Sequence, residues 1–202
     1  MDKNRDRVML INVGGIMLVV IVIAFIYILS IRGEFTKYLD TKYPKLSFKV
    51  GVTKIDFSYS GYYTNVICLD DETNFTISKN FKTKNISEYY IENKSRIQYN
   101  TKIKNIFNGS EIQKSIRNVT GGGKGIFEDN ATYEQVDIDL ISNTDQIAVA
   151  KEVMKKIQEK NISVEKLIFR YEIDMHVYEL WLTPKDYKLT YKEINDKVMK
   201  IK

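Results

Sequence analysis

Positions 8–31, VMLINVGGIMLVVIVIAFIYILSI, are twenty-four consecutive residues without a charge, bounded by Arg7 and Arg32. At about 1.5 Å per residue a helix of this length reaches about 36 Å, enough to cross a hydrocarbon core of about 30 Å with some tilt. A cleaved leader has a shorter apolar stretch and a small-x-small site. Here the run is long and ends on the bulky Phe25, Ile26, Tyr27, Ile28 and Leu29. A lipid-modified anchor needs a cysteine just past the run, and the single cysteine is Cys68. A core helix of a soluble domain carries one apolar stripe, not an apolar surface on all sides. The run therefore reads as an uncleaved anchor, residues 1–7 as a tail, and the remainder as one body on one side of a membrane.

Lys3, Arg5 and Arg7 crowd the short tail and favour its lying in the cytoplasm, and long domains cross largely regardless of their charge. The expected placement is a single-pass protein of the cell membrane with the bulk of the chain extracytoplasmic. Gly14-Gly15 is a weak signal for close helix approach, and Asn12, the one strongly polar residue of the run, falls near its cytoplasmic end.

One cysteine makes no internal disulfide, which for an exported chain suits a Gram-positive envelope. Seven N-x-S/T matches are chance in an Asn-rich bacterial chain. The net charge of +5 is spread among acids, as in Lys155-Lys156 with Glu159. This excludes the clustered basic face that nucleic-acid binding requires. Lys37, Lys42 and Lys45 follow the span and suit a mild attraction to anionic lipid or wall polymers.

Beyond the anchor, the patterning predicts an α+β fold in two small lobes, each with helices packed on an antiparallel sheet. The first lobe, 33–107, opens with a helix over 34–43 carrying Phe35, Tyr38 and Leu39 on one face, stopped by Pro44. Alternating strands follow over 46–50, 52–59, 63–69 and 74–78, and then a second helix over 86–106. Residues 108–130, with Gly121-Gly122-Gly123-Lys124-Gly125, read as a linker between lobes. The second lobe, 131–202, predicts a strand over 133–142 and a helix over 145–160 capped by Asn143 or Thr144. Strands over 167–173 and 177–182, joined at Asp174-Met175-His176, precede a closing helix over 190–202.

The stretch Phe35-x-x-Tyr38-Leu39-x-x-Lys42-Tyr43-Pro44, then Phe48-x-Val50-Gly51, Asp56-Phe57-x-Tyr59-Ser60-Gly61-Tyr62 and Ile91-Glu92-Asn93-Lys94 resembles the YfjL-like family of Firmicutes. These are small membrane-anchored proteins or lipoproteins. The resemblance covers roughly 34–99; where the family often has tryptophan after the matching lysine, Ser95 stands here. It implies a bacterial envelope protein with an anchor and an α+β region. It carries no activity and no catalytic residue.

The chemistry in the residues is sparse. His176 is the single histidine, which excludes a histidine-built metal site within the chain and leaves a Ser/His/Asp triad resting on one turn residue. Cys68 sits in an apolar strand and reads as buried and inert. Asp70-Asp71-Glu72 is the densest acidic cluster; paired carboxylates serve Ca²⁺ or acid–base work, but between strands they read as a solvated turn. Asp137 and Asp139 share one strand face, the solvent face by alternation. The glycine run lacks the G-x-x-x-x-G-K-[S/T] order of a phosphate loop. Strand tyrosines such as Tyr62 and Tyr63 must point to opposite faces, and outward ones suit a binding face. No catalytic, cofactor-binding or metal-ligating residue is assigned, and no enzyme is expected. The expected function is an envelope binding module for a partner protein, peptide or cell-wall component. The alternatives are a carboxylate-based hydrolase using Asp70 or Asp71, and a structural subunit of a membrane complex.

Overall fold

The computed structural model describes residues 3–128, 130–142 and 144–202, with side chains from residue 15 onward. The apolar run and the first predicted helix are one continuous helix, α1, Lys3–Lys42, of 40 residues. Nothing breaks it, because no proline occurs before Pro44 and every residue from Gly33 to Thr41 tolerates helix. Its surface changes character along its length. From Ile16 to Leu29 its large side chains are exposed or nearly so, while Ile31, Phe35 and Leu39 are fully buried. The i, i+4, i+8 spacing of those three makes one stripe, the signature of a helix packed on a sheet.

That sheet is built of β1 (Phe48–Val50), β2 (Lys54–Asp56), β3 (Gly61–Cys68), β4 (Asn74–Asn80) and β5 (Ile86–Glu88). The order is β1-β3-β4-β5, with β2 continuing beside β3 on the β1 edge, and all pairs are antiparallel. Val50, Val66, Cys68, Phe75 and Ile77 are its buried residues. They alternate with outward residues as the period of two requires. Cys68 lies within this interior as expected, its Sγ 3.9 Å from the Tyr90 hydroxyl.

The chain divides into two compact units at Tyr90/Ile91. The sequence places the division in 108–130, and this is corrected by the structure of that stretch. Ile116–Gly123 is a strand, β6, paired with β7 (Tyr133–Leu140). The helix α2, Tyr90–Phe107, contributes Tyr99, Ile103 and Phe107 to the second unit's core. The predicted helix over 86–106 accordingly begins four residues later, its first residues forming β5.

In the second unit the order is β10-β9-β8-β7-β6, with β8 at Leu167–Ile173, β9 at His176–Leu182 and β10 at Met199–Lys200. The sheet is mixed, not antiparallel as expected: β7 and β8 run parallel. Between them α3, Gln146–Glu159, carries the chain back along the sheet, the connection parallel neighbours require. Asp145 caps α3 by accepting from the Ala148 N–H; Asn143 lies outside the described residues. Asp174 and Met175 both have positive φ, the turn twist a two-residue hairpin favours, and His176 opens β9 opposite Ile173. The closing helix is shorter than expected. A Thr190/Glu193 capping box starts α4, Tyr191–Asn195, but Met199 and Lys200 instead pair with the β9 edge, which would otherwise stand open.

The glycines of β6 are set by space. A Cβ on Gly121 would lie 2.8 Å from the Tyr133 ring, and one on Gly123 would lie 2.4 Å from the Tyr99 ring. Gly122, on the other side of the strand, has nothing within 4 Å. In chemical denaturation, Gly121→Ala and Gly123→Ala should each destabilise the protein by about 1–3 kcal/mol through overpacking. Gly122→Ala should change stability by less than about 0.5 kcal/mol. Equal responses at the three positions would restore the linker reading.

Candidate functional site

The first sheet has two faces of different character. One carries Tyr62, Thr64, Val66 and Cys68 of β3 and packs under α1. The other carries Tyr63, Asn65 and Ile67, and the register brings them beside Ser78, Thr76 and Asn74 of β4. Ser87 of β5 lies next to Ser78. Tyr89 follows, half exposed. Strand alternation alone produces this separation: the apolar set goes under the helix and the hydroxyl and amide set goes outward.

A groove of about 660 Å³ lies against this sheet, lined among others by Tyr59, Tyr63, Thr76, Ser78, Ser87 and Tyr89. Its size suits a small ligand or a short polymer segment. The charged residues on its wall are occupied. Asp56 uses one carboxylate oxygen to accept the Ser58 and Tyr59 N–H groups at 2.9 and 3.2 Å. Lys79 is ion-paired with Glu34 of α1. What remains is tyrosine rings with hydroxyl and amide groups that both donate and accept.

The floor of the groove is held flat by a clamp behind it. On the α1 side, the Glu88 carboxylate accepts from Lys42 at 2.5 Å and from the Tyr43 hydroxyl at 2.7 Å. It also takes the Tyr90 N–H at 2.6 Å. Burial alone would raise the Glu88 pKa, but these three donors hold it below the usual glutamate range. Tyr43 is pushed up to about 12 by burial and by donating to Glu88. Around the clamp, Tyr43, Phe48, Phe75 and Tyr90 meet at ring distances of 5.1–5.8 Å.

The acids singled out from sequence are engaged within their own units. Asp70 accepts the Ser47 N–H at 2.6 Å, and Asp71 accepts the Thr73 N–H and the Tyr90 hydroxyl. Asp137 lies 3.1 Å from Arg170, which also binds Glu179 at 2.6 Å. Glu179 in turn accepts from the Trp181 indole at 2.8 Å. The Arg170 hydrogen bond is the main reason the Glu179 carboxyl stays low. Asp139 sits on the same face, within 3.5 Å of Asn118. His176 is exposed at the start of β9. Among the described residues, no group of three or more His, Cys, Asp or Glu is placed to hold a metal ion.

Sequence reasoning noticed that Tyr62 or Tyr63 must face outward but did not single out the groove. The signal was present as polar residues at alternate positions of successive strands, Asn65, Thr76, Ser78 and Ser87, together with Tyr63 and Tyr89. Comparison with known proteins finds no family model, no curated protein and no solved structure that matches this chain.

Because the folded Glu88 pKa is lowered, its stabilising contribution is complete above the unfolded value of about 4.3. It is lost as pH falls through the lower, folded value. Thermal unfolding of the detergent-solubilised protein from neutral to acid pH should therefore show a shallower acid slope for Glu88→Gln than for the parent. At neutral pH the variant should lose about 1–3 kcal/mol. Identical slopes would mean that the clamp contributes nothing.

Proposed function

We propose that this chain is a membrane-anchored recognition module of the bacterial envelope, with its N-terminal tail cytoplasmic and both folded units outside. In this reading the open face of the first sheet binds a neutral, hydroxyl-rich ligand, a glycan segment of the cell wall. One observation carries it: the groove presents tyrosine rings over hydroxyl and amide groups, with Lys79 ion-paired to Glu34 and the Asp56 carboxylate engaged by the Ser58 and Tyr59 N–H groups. Tyrosine offers a flat apolar face for a sugar ring and a polar tip at low entropic cost. Uncharged donors and acceptors match sugar hydroxyls and give no advantage to phosphate polymers or nucleic acid.

The anchor supports the placement. α1 is long and apolar enough to cross a membrane, and the basic residues Lys3, Arg5 and Arg7 precede its apolar run. The resemblance to YfjL-like proteins falls mostly on the first unit, with its Ile91-Glu92-Asn93-Lys94 motif at the start of the second. Its Phe35 and Leu39, on α1, are buried against the first sheet, and its Tyr43 packs on Phe48. We propose that the chain is a divergent relative of that family.

The test is equilibrium binding of soluble, uncharged wall-glycan fragments to the full-length protein in detergent, with Tyr63→Ala and Tyr89→Ala combined. The parent should bind, and the double variant should bind at least about 30-fold more weakly, the loss of about 2 kcal/mol expected for an aromatic anchor. No binding by the parent, or equal binding by a folded double variant, sinks the glycan reading.

A further inference from the structure

The first unit has a chemically distinct end beside the point where α1 leaves its bare apolar stretch. Tyr27 is the first α1 residue with a ring contact to the sheet, meeting Tyr62 edge-on at 5.8 Å. Farther along α1, Arg32 donates to the Val50 carbonyl, Glu34 pairs with Lys79, and Lys42 reaches Glu88. The helix thus follows the sheet from the Tyr62 end toward the Cys68 end. Residues 27–42 of the helix rise about 22 Å, matching the roughly 23 Å of β3.

Two turns mark the Tyr62 end. The turn 57–60 joins β2 to β3, and 81–85 joins β4 to β5; they are tied by the Phe81 N–H donating to the Ser60 carbonyl at 2.8 Å. Their rings continue the row that starts at Tyr27: Tyr62 meets Phe81 at 4.7 Å, and Phe81 meets Phe57 at 6.5 Å. Phe57 and Tyr59 are 81% and 84% exposed, extreme values for aromatics of a folded domain. Lys54, Lys82 and Lys84 stand exposed beside them, with no ion-pair partner among the described residues. The opposite end of the sheet carries Asp70, Asp71 and Glu72.

The length of the free apolar stretch fixes the height of this end. Residues 8–26 number nineteen, or about 28 Å of helix, close to the thickness of a hydrocarbon core. With that stretch filling the core, Tyr27 stands at the headgroup level, where aromatic residues collect. The two turns stand level with it.

We propose that the turns 57–60 and 81–85 dock into the headgroup layer of the bilayer that α1 enters. Phe57, Tyr59 and Phe81 lie at the acyl boundary, and Lys54, Lys82 and Lys84 face anionic lipid phosphates. The occupant of this patch is the membrane surface, because the charge is complementary and α1 brings it there. Lys37, Lys42 and Lys45, the basic residues suggested by sequence, lie 10 or more positions beyond Tyr27, and Lys42 is already paired with Glu88. The inference rests on the proposed crossing by α1; Tyr59, Thr83 and Asn85 of these turns also line the groove, so docking brings that end of the groove against the headgroups.

The test reconstitutes the full chain, with Trp181→Phe, into nanodiscs of phosphatidylcholine and anionic phosphatidylglycerol. The lipids carry bromine near the acyl carbonyls. Single tryptophans replace Phe57, Phe81, Leu69 and Ile21 in turn. Quenching at positions 57 and 81, strengthened by phosphatidylglycerol and absent at 69, is the expected result. If 57 and 81 behave like 69 while 21 is quenched, the anchor is in the bilayer and the docking is wrong. If 21 is not quenched, the membrane crossing itself falls. Should Trp181→Phe fail to fold, the same positions are read with Trp181 retained and its signal subtracted.

Discussion

The burial of Ile31, Phe35 and Leu39 under the first sheet is the contact on which the rest of the first unit depends. It occurs on the same unbroken helix as the apolar run, so one element carries both a stretch long and apolar enough to cross a membrane and a stripe of the core. Each of these side chains contributes about 1.5–3 kcal/mol by leaving water, and Tyr90, the first residue of α2, closes the Cys68 end of the same face against Phe48 and Phe75. A tether of glycine or serine would leave the sheet free to turn. A helix committed to the sheet from Tyr27 to Lys42 fixes its tilt and its height. The ion pairs of Lys79 with Glu34 and of Lys42 with Glu88 add direction rather than much energy, since one member of each is substantially exposed.

The two sheets treat their polar faces differently. In the second unit Arg170 is shared between Asp137 and Glu179, and Glu179 also holds the Trp181 indole, with Lys166 stacked over the Trp181 ring at 5.2 Å. Its charges satisfy one another, which suits a structural surface. The first sheet instead keeps uncharged donors and acceptors, with its charges spent at the rim. A surface of that kind loses little on desolvation and discriminates by geometry, the requirement for a neutral polar ligand.

Much of this was legible in the sequence, and the failures have physical causes. The strands β3, β4, β7 and β9 and the helix α3 follow from periodicity, because each buries mainly one face, while the apolar run and β8 follow from unbroken apolar stretches. β6 was hidden by glycine, which disfavours strands on average; here Gly121 and Gly123 leave room for the rings of Tyr133 and Tyr99, a long-range need. Their i, i+2 spacing, one face of a strand, was the readable trace. β5 was read as helix because three residues carry no period, and Glu88 acts through Lys42 and Tyr43, more than forty positions away. β10 exists to cover the β9 edge, which local sequence does not announce. The groove follows from strand pairing: Asn65 and Thr76 become neighbours only through the register of β3 and β4.

Rigid coupling also limits what the open face can meet. The face runs from the turns at the Tyr62 end to the acidic turn at 70–72, about 23 Å along the strands. On the proposed crossing by α1, it would sample only a layer of that depth above the headgroups. A ligand confined to the same layer is presented at a high effective concentration, so a modest intrinsic affinity suffices. A ligand farther out is not reached at all, since no hinge lies between Tyr27 and the sheet to extend the range. On the proposed docking, the acidic turn at 70–72 lies at the end of the sheet away from the lysines beside the turns 57–60 and 81–85 and away from the groove, whose lining gathers at the Tyr62 end. On the proposed docking, the charge pattern thus sets lysines at the membrane end of a single sheet and carboxylates at the other, with uncharged hydroxyl and amide groups on the open face between them.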